Sequence, residues 1–146
     1  PGREGKVKLV KDNKIRRVVL CSGKVYYDLF EEREKSGTDD IYLLRVEQFY
    51  PVPRKALMKE LGRFPQAEMV WCQEEPRNMG GWSFIRDEIE WCAGKAGVKV
   101  PRPKYTGRPP AAATATGLLS THEREKEAFL NAALGDQPVE DSLVTG

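Results

Sequence analysis

The 146-residue chain carries 24 Lys and Arg against 22 Asp and Glu, a formal net charge of +2. That balance exerts no strong pull towards nucleic acid or a membrane surface, and no apolar run approaches the ~18 residues that a bilayer span needs. Three cysteines, Cys21, Cys72 and Cys92, lack C-x-x-C spacing, which argues against a disulfide framework and a zinc site and fits a reducing compartment. The length suits one domain with a real core, since a chain of this size hides roughly 70% of its unfolded surface. No signal-peptide pattern opens the chain. It begins at Pro1 rather than Met, which reads as a piece of a longer polypeptide.

Residues 1–16 are charged and contain glycine, and read as a linker or a short edge hairpin around Asp12-Asn13. Val18 to Cys21 is a continuous apolar run, the mark of a strand buried on both faces. Ser22-Gly23 breaks it. Lys24 to Ser36 then places Val25, Tyr26, Leu29 and Phe30 at helical spacing, with Gly37 as a stop signal. The pattern recurs: Ile41 to Val46 is strand-like, and Pro51 and Pro53 set up a helix with Leu57, Leu61 and Phe64 on one face. Met69 to Cys72 is a third strand. Gly81 to Cys92 is a third helix, and Val98 to Val100 is a candidate fourth strand. Pro101 to Gly117 reads as irregular. Ser120 and Glu123 match a capping box ahead of a last helix that runs to Gly135. Strand and helix alternating in this way predict an α/β fold: a three-layer αβα sandwich with a mostly parallel sheet over 17–135, followed by a disordered tail over 136–146.

Loops after parallel strands share one edge, and ligands prefer that edge. Three meet there: Ser22-Gly23-Lys24, Glu47-Gln48-Phe49 and Gln73-Glu74-Glu75. Glu74 and Glu75 are a candidate acid/base pair, since close carboxylates split their pKa values. Adjacent residues point different ways, however, and a structural corner explains them as well. Gly80 and Gly81 open a helix and offer backbone N–H groups to an anion, or let two backbones approach closely. Cys21 and Cys72 end apolar runs and read as buried, inert thiols. His122, the only histidine, suits hydrogen bonding in the fold or at an interface better than proton transfer. Arg102, Lys104 and Arg108 flank Tyr105 in a Pro-rich stretch. Guanidinium forks suit phosphate and Tyr stacks on a base, so a nucleotide or CoA-like phosphate site stands beside the alternative of an arm lying on a partner domain. No metal site and no catalytic residue is assigned.

Four stretches, in order, resemble one family. They are Leu20-Cys-Ser-Gly-Lys-Val-Tyr-Tyr-Asp-Leu29, Leu44-Arg-Val-Glu-Gln-Phe-Tyr-Pro-Val-Pro53, Val70-Trp-Cys-Gln-Glu-Glu-Pro-Arg-Asn-Met-Gly-Gly-Trp82, and Tyr105-Thr-Gly-Arg-Pro-Pro-Ala-Ala-Ala-Thr-Ala-Thr-Gly117 followed by His122. Together they resemble the C-terminal region of 2-oxoglutarate dehydrogenase, the thiamine-diphosphate-dependent decarboxylating component, from about Ile15 to Gly135. The Glu-Glu to Gly-Gly phrase is also similar to transketolase-like C-terminal domains in general.

The resemblance implies a transketolase C-terminal-domain-like fold at the end of a longer, homodimeric enzyme of the tricarboxylic acid cycle. That enzyme decarboxylates 2-oxoglutarate on thiamine diphosphate and magnesium and passes succinyl to the lipoyl group of a partner succinyltransferase. It would work in the cytoplasm of a bacterium or the mitochondrial matrix of a eukaryote. The family's Gly-Asp-Gly to Asn-Asn cofactor signature is missing, and Gly135-Asp136 is followed by Gln137. The family's catalytic histidines belong to earlier domains, so neither thiamine diphosphate nor magnesium is placed on this chain, which is expected to be inactive alone. Regulatory nucleotides, acetyl-CoA or AMP, bind some members at this domain, which makes Arg102, Lys104 and Arg108 candidates for that role. Glu74, Glu75, Gly80, Gly81 and His122 are then expected to form a corner against upstream domains or a second subunit. A stand-alone nucleotide- or CoA-binding module is the competing reading.

Overall fold

The structure, a computed structural model, describes residues 5–47, 49, 51–108 and 119–139, with the backbone alone at 119–121. Its elements in chain order are β1 (Arg17–Cys21), α1 (Val25–Ser36), β2 (Ile41–Arg45), α2 (Arg54–Leu61), β3 (Glu68–Pro76), α3 (Trp82–Lys95), β4 (Lys104–Arg108) and α4 (Leu119–Leu134). The four strands form one sheet in the order β2-β1-β3-β4, and every pairing is parallel.

Alternation along each strand builds two cores. Val18 and Leu20 of β1 and Met69 and Trp71 of β3 face α2 and α3, where they meet Leu57, Leu61, Ile85 and Ile89. Val19, Cys21, Val70 and Cys72 face the other way, onto Leu29 and Phe30 of α1 and Phe129 and Ala133 of α4. The sheet is therefore covered on both sides, which is why its central strands read as unbroken apolar runs. The αβα sandwich and parallel sheet predicted from the sequence are what the structure shows.

Local signals explain the ends of most elements. Gly37 sits at φ 72° and its N–H reaches back to the carbonyls of Arg33 and Glu34, a left-handed helix stop that glycine adopts freely. Pro53 precedes α2, where its missing N–H costs nothing. Residues near Asp12 form a 3-10 turn, Asp12–Lys14, rather than a hairpin. The N–H of Val10 instead bonds Asp39 O at 2.9 Å.

Five expectations are corrected. Residues 98–100 make no strand: Val100 is 61% exposed and Pro101 and Pro103 deny the region a ladder. The fourth strand is Lys104–Arg108, inside the stretch read as irregular. The third strand runs on to Pro76, so Glu74 and Glu75 lie in a strand, not a loop. The described helix α4 already includes Ser120, which therefore stands within its first turn rather than ahead of it. Residues 136–139 are also not free of the domain: Val139 is 5% exposed and its N–H donates to Glu68 Oε2 at 3.0 Å. The stretches 109–118 and 140–146 lie outside the described residues.

Candidate functional site

Strand order reverses between β1 and β3, and in doubly wound sheets the crevice for ligands opens at the C-terminal ends of such a strand pair. Here an aromatic ring occupies that corner. The Phe49 ring lies 5.8 Å from Trp71 and 6.4 Å from Phe84. A Cβ added to Gly81 would come within 2.6 Å of Phe49, so glycine is what lets the ring sit there.

Gln73 organises the same corner from β3. It is 2% exposed. Its Oε1 accepts from Trp71 Nε1 at 2.9 Å and from the Trp82 N–H at 3.1 Å. Its Nε2 donates to the carbonyls of Glu75, Pro76 and Met79 at 3.1, 3.0 and 2.7 Å. One amide thus closes the turn between β3 and α3 and occupies the first orphan donor of the helix. Gly80 follows at φ 69°, and a Cβ there would press on the Gln73 amide at 3.1 Å. The sequence placed Gln73 in a loop at the ligand-favoured edge but gave it no role of its own. The available signal was its position between two tryptophans and beside a glycine pair.

Glu74 and Glu75 point apart, as the two-residue period of a strand requires. Glu74 is half-buried, with one oxygen 3.8 Å from Arg108 Nη2. Glu75 is exposed, and its backbone carbonyl serves Gln73 and Tyr105. The two carboxylates do not converge on a common point, so an acid/base pair is not assembled.

Arg108 ends β4 as a buried knot, 5% exposed. Its Nη1 donates to His122 O at 2.9 Å and to Glu125 Oε1 at 3.1 Å, and its Nη2 meets His122 Nε2 at 3.0 Å. A guanidinium only donates, so Nε2 is the acceptor and the imidazole proton sits on Nδ1. The Arg108 guanidinium also lies 5.5 Å from the Phe129 ring. This cation ties α4 to the sheet. Its donors face inward, away from any ligand in solvent.

The three cations singled out in the sequence do not form one site. Arg102 and Lys104 line a cavity at the N-terminal edge of the sheet, and Arg108 stands at the opposite end of β4, about 13 Å along the strand from Lys104. At that N-terminal edge Arg17 is 1% exposed. Its Nε donates to Glu68 Oε1 at 2.7 Å, and its Nη atoms donate to the carbonyls of Ala133, Gly135 and Gln137 at 2.7, 3.0 and 2.6 Å. A cation at a helix C-terminus satisfies carbonyls the helix itself leaves open. Glu68 also receives Lys104 Nζ at 3.0 Å. Burial opposes ionisation of Glu68, but the hydrogen bonds from Arg17 and Lys104 prevail and hold its carboxyl below the usual range.

The cysteines have no nucleophilic setting. Burial pushes Cys72 up to about 12, against a hydrogen bond from Thr106. Burial, then neighbouring Cys72, raises Cys21, and burial raises Cys92 as well. Among the described residues no group of three His, Cys, Asp or Glu is placed to hold a metal ion. The magnesium implied by the resemblance therefore has no ligand set among the described residues, and no chemical step is routed through it. Among the described residues no helix is long and apolar enough to cross a membrane.

The ligand-favoured corner of this doubly wound α/β domain is filled by its own Phe49 and Gln73. The chain matches the 2-oxoglutarate dehydrogenase C-terminal family over residues 3–134, and it belongs to that family. It is 65% identical over 130 residues to the 2-oxoglutarate dehydrogenase E1 component of Brucella anthropi, a match covering 89% of this chain and 13% of that protein. The E1 components of Brucella ovis and Brucella canis are each 65% identical over 129 residues, covering 88% of this chain and 13% of theirs. The chain thus spans about 13% of the length of the curated relatives it matches.

Proposed function

We propose that this chain is the C-terminal structural domain of a 2-oxoglutarate dehydrogenase E1 component. The full polypeptide would decarboxylate 2-oxoglutarate oxidatively on thiamine diphosphate and magnesium and pass succinyl to the lipoyl group of a succinyltransferase partner. In this reading the cofactor and the chemistry belong to upstream domains, in a homodimer, in the cytoplasm of a bacterium or the matrix of a mitochondrion. The observation that carries it is the 65% identity over nearly the whole chain to proteins of that name. The inward commitment of Gln73 and Arg108 supports a structural rather than a chemical role. Glu74 and Glu75 mark a domain corner turned towards a neighbouring domain or subunit.

The test is a chimaera in which this chain replaces the matching segment of the Brucella anthropi protein. Sedimentation reports assembly, and 2-oxoglutarate-dependent decarboxylation reports chemistry. Assembly with near-normal turnover is expected. Glu74→Ala and Glu75→Ala in the chimaera should lower the yield of assembled enzyme more than turnover per assembled molecule. A chimaera that does not assemble would overturn the family role. Correctly assembled carboxylate variants with a large loss of turnover would overturn the structural reading.

A further inference from the structure

We infer that the groove at the N-terminal edge of the sheet binds a small organic anion, a carboxylate on a short apolar body, with Arg102 as its principal cation. The groove holds about 300 Å³. That is the low end of the range of small-ligand sites, about 300–1,000 Å³. The inference goes beyond the dehydrogenase assignment and does not depend on it.

The groove is lined by four cations and two carboxylates, and Arg16 is spent on Asp40, on the Gly135 carbonyl and on Asp136, whose exposed carboxylate also lines the groove. Arg17 donates four hydrogen bonds to Glu68 and to the carbonyls at the end of α4, so it is wall rather than ligand-binding group. Glu68 is likewise consumed: Arg17 takes one oxygen, and Lys104 and the Val139 N–H take the other. Arg102 is exposed and lines the same groove, and its guanidinium has no hydrogen-bond or ion-pair partner among the described residues. Lys104 donates one of its three protons to Glu68 and stays partly open to solvent. A carboxylate placed there takes the Arg102 fork with both oxygens and a spare proton of Lys104.

The sequence prepares this arrangement. Pro101 and Pro103 alternate with Val100, Arg102 and Lys104, the three residues of this stretch that line the groove. Each proline fixes its own φ and removes freedom that binding would otherwise have to freeze. Val100 and Pro138, both exposed, supply apolar surface to the groove, with buried Met69 beneath it. Val100 is 61% exposed, so a hydrocarbon body laid on it leaves water at no cost in lost hydrogen bonds. A bare inorganic anion would use the cations and waste that surface.

The test uses carbon-13 methyl signals of methionine in the intact protein. Met69 lines the groove and is assigned by its loss in Met69→Leu, and Met79, in the turn beyond the far end of β3, is the internal control. The probes are hexanoate, hexanol and inorganic phosphate. Hexanoate should shift Met69 saturably and leave Met79 in place. Arg102→Ala, at an exposed residue, should raise its dissociation constant by about tenfold or more, the worth of a lost charge-assisted hydrogen bond. Hexanol should do nothing. No saturable shift with hexanoate, or an affinity unchanged by Arg102→Ala, would overturn the inference. Phosphate binding as tightly as hexanoate would also overturn it, by showing a plain anion site.

Discussion

Replacing Gln73 by leucine removes one amide of similar size from the corner and isolates its effect. Two buried donors, Trp71 Nε1 and the Trp82 N–H, lose their acceptor, and three carbonyls lose a donor. Each stranded buried donor costs about 1–3 kcal/mol, while carbonyls near the exposed Met79 recover water. The sum is about 4 kcal/mol, against a total stability of about 5–15 kcal/mol for a domain. A melting temperature lower by about 10 °C follows from the usual conversion at this size. Urea unfolding followed by tryptophan emission reads the loss directly, and an unchanged slope would confirm that stability rather than compactness changed. Gln73→Glu sharpens the test. It keeps an acceptor for the two donors but turns an oxygen towards three carbonyl oxygens, and it should be at least as damaging. A loss below about 1 kcal/mol for Gln73→Leu would mean that water replaces the amide and that the corner is not organised as described.

Three other outcomes are expected. Arg108→Lys keeps the charge but not the fork that spans His122 and Glu125, and it should cost about 2 kcal/mol, with amide exchange quickened in α4 more than in α2. Glu68 has its folded-state carboxyl held below its unfolded value of 4.5, so its stabilisation is present above that pH and lost as pH falls through the folded-state value. Denaturant titrations should therefore show the gap between wild type and Glu68→Gln wide at neutral pH and closing in acid; a gap independent of pH would refute the ion-pair network. The three cysteines should resist a soluble disulfide reagent in the native protein at mildly alkaline pH and all react once it is unfolded, and rapid native labelling would contradict their burial.

The first three strand–helix units were legible because burial on both faces writes itself as unbroken apolar runs, and helix ends write themselves as Gly37 and Pro53. The fourth strand was not. Lys104 and Arg108 look like surface charge, and only Glu68 at one end and Glu125 with His122 at the other make them tolerable beside a core. Val98 to Val100 misled for the opposite reason: its apolar letters suggested a strand, but the flanking prolines cannot donate to a ladder. The pairing partners of Arg17 lie 51 residues away at Glu68 and 116 away at Ala133, separations that no local pattern reports. Glu74 and Glu75 were rightly suspected of pointing apart, yet the residue that closes their corner is Gln73, to which no sequence pattern assigned a separate role.

The clamp that Arg17 places on the end of α4 has a mechanical side. Arg16 Nη1 also reaches Gly135 O at 2.9 Å, so the chain enters β1 and leaves α4 at neighbouring points of one edge. Tension applied between those points peels rather than shears. The Arg17 bonds to Ala133, Gly135 and Gln137 carry the load first, while the parallel ladder of β1, β2 and β3 carries almost none. An unfolding motor pulling from beyond Val139 would break those few bonds, then strip α4 from Leu134 back past Phe129, and meet the three-strand ladder only afterwards. The fold opens most easily at the edge where the chain enters β1 and leaves α4.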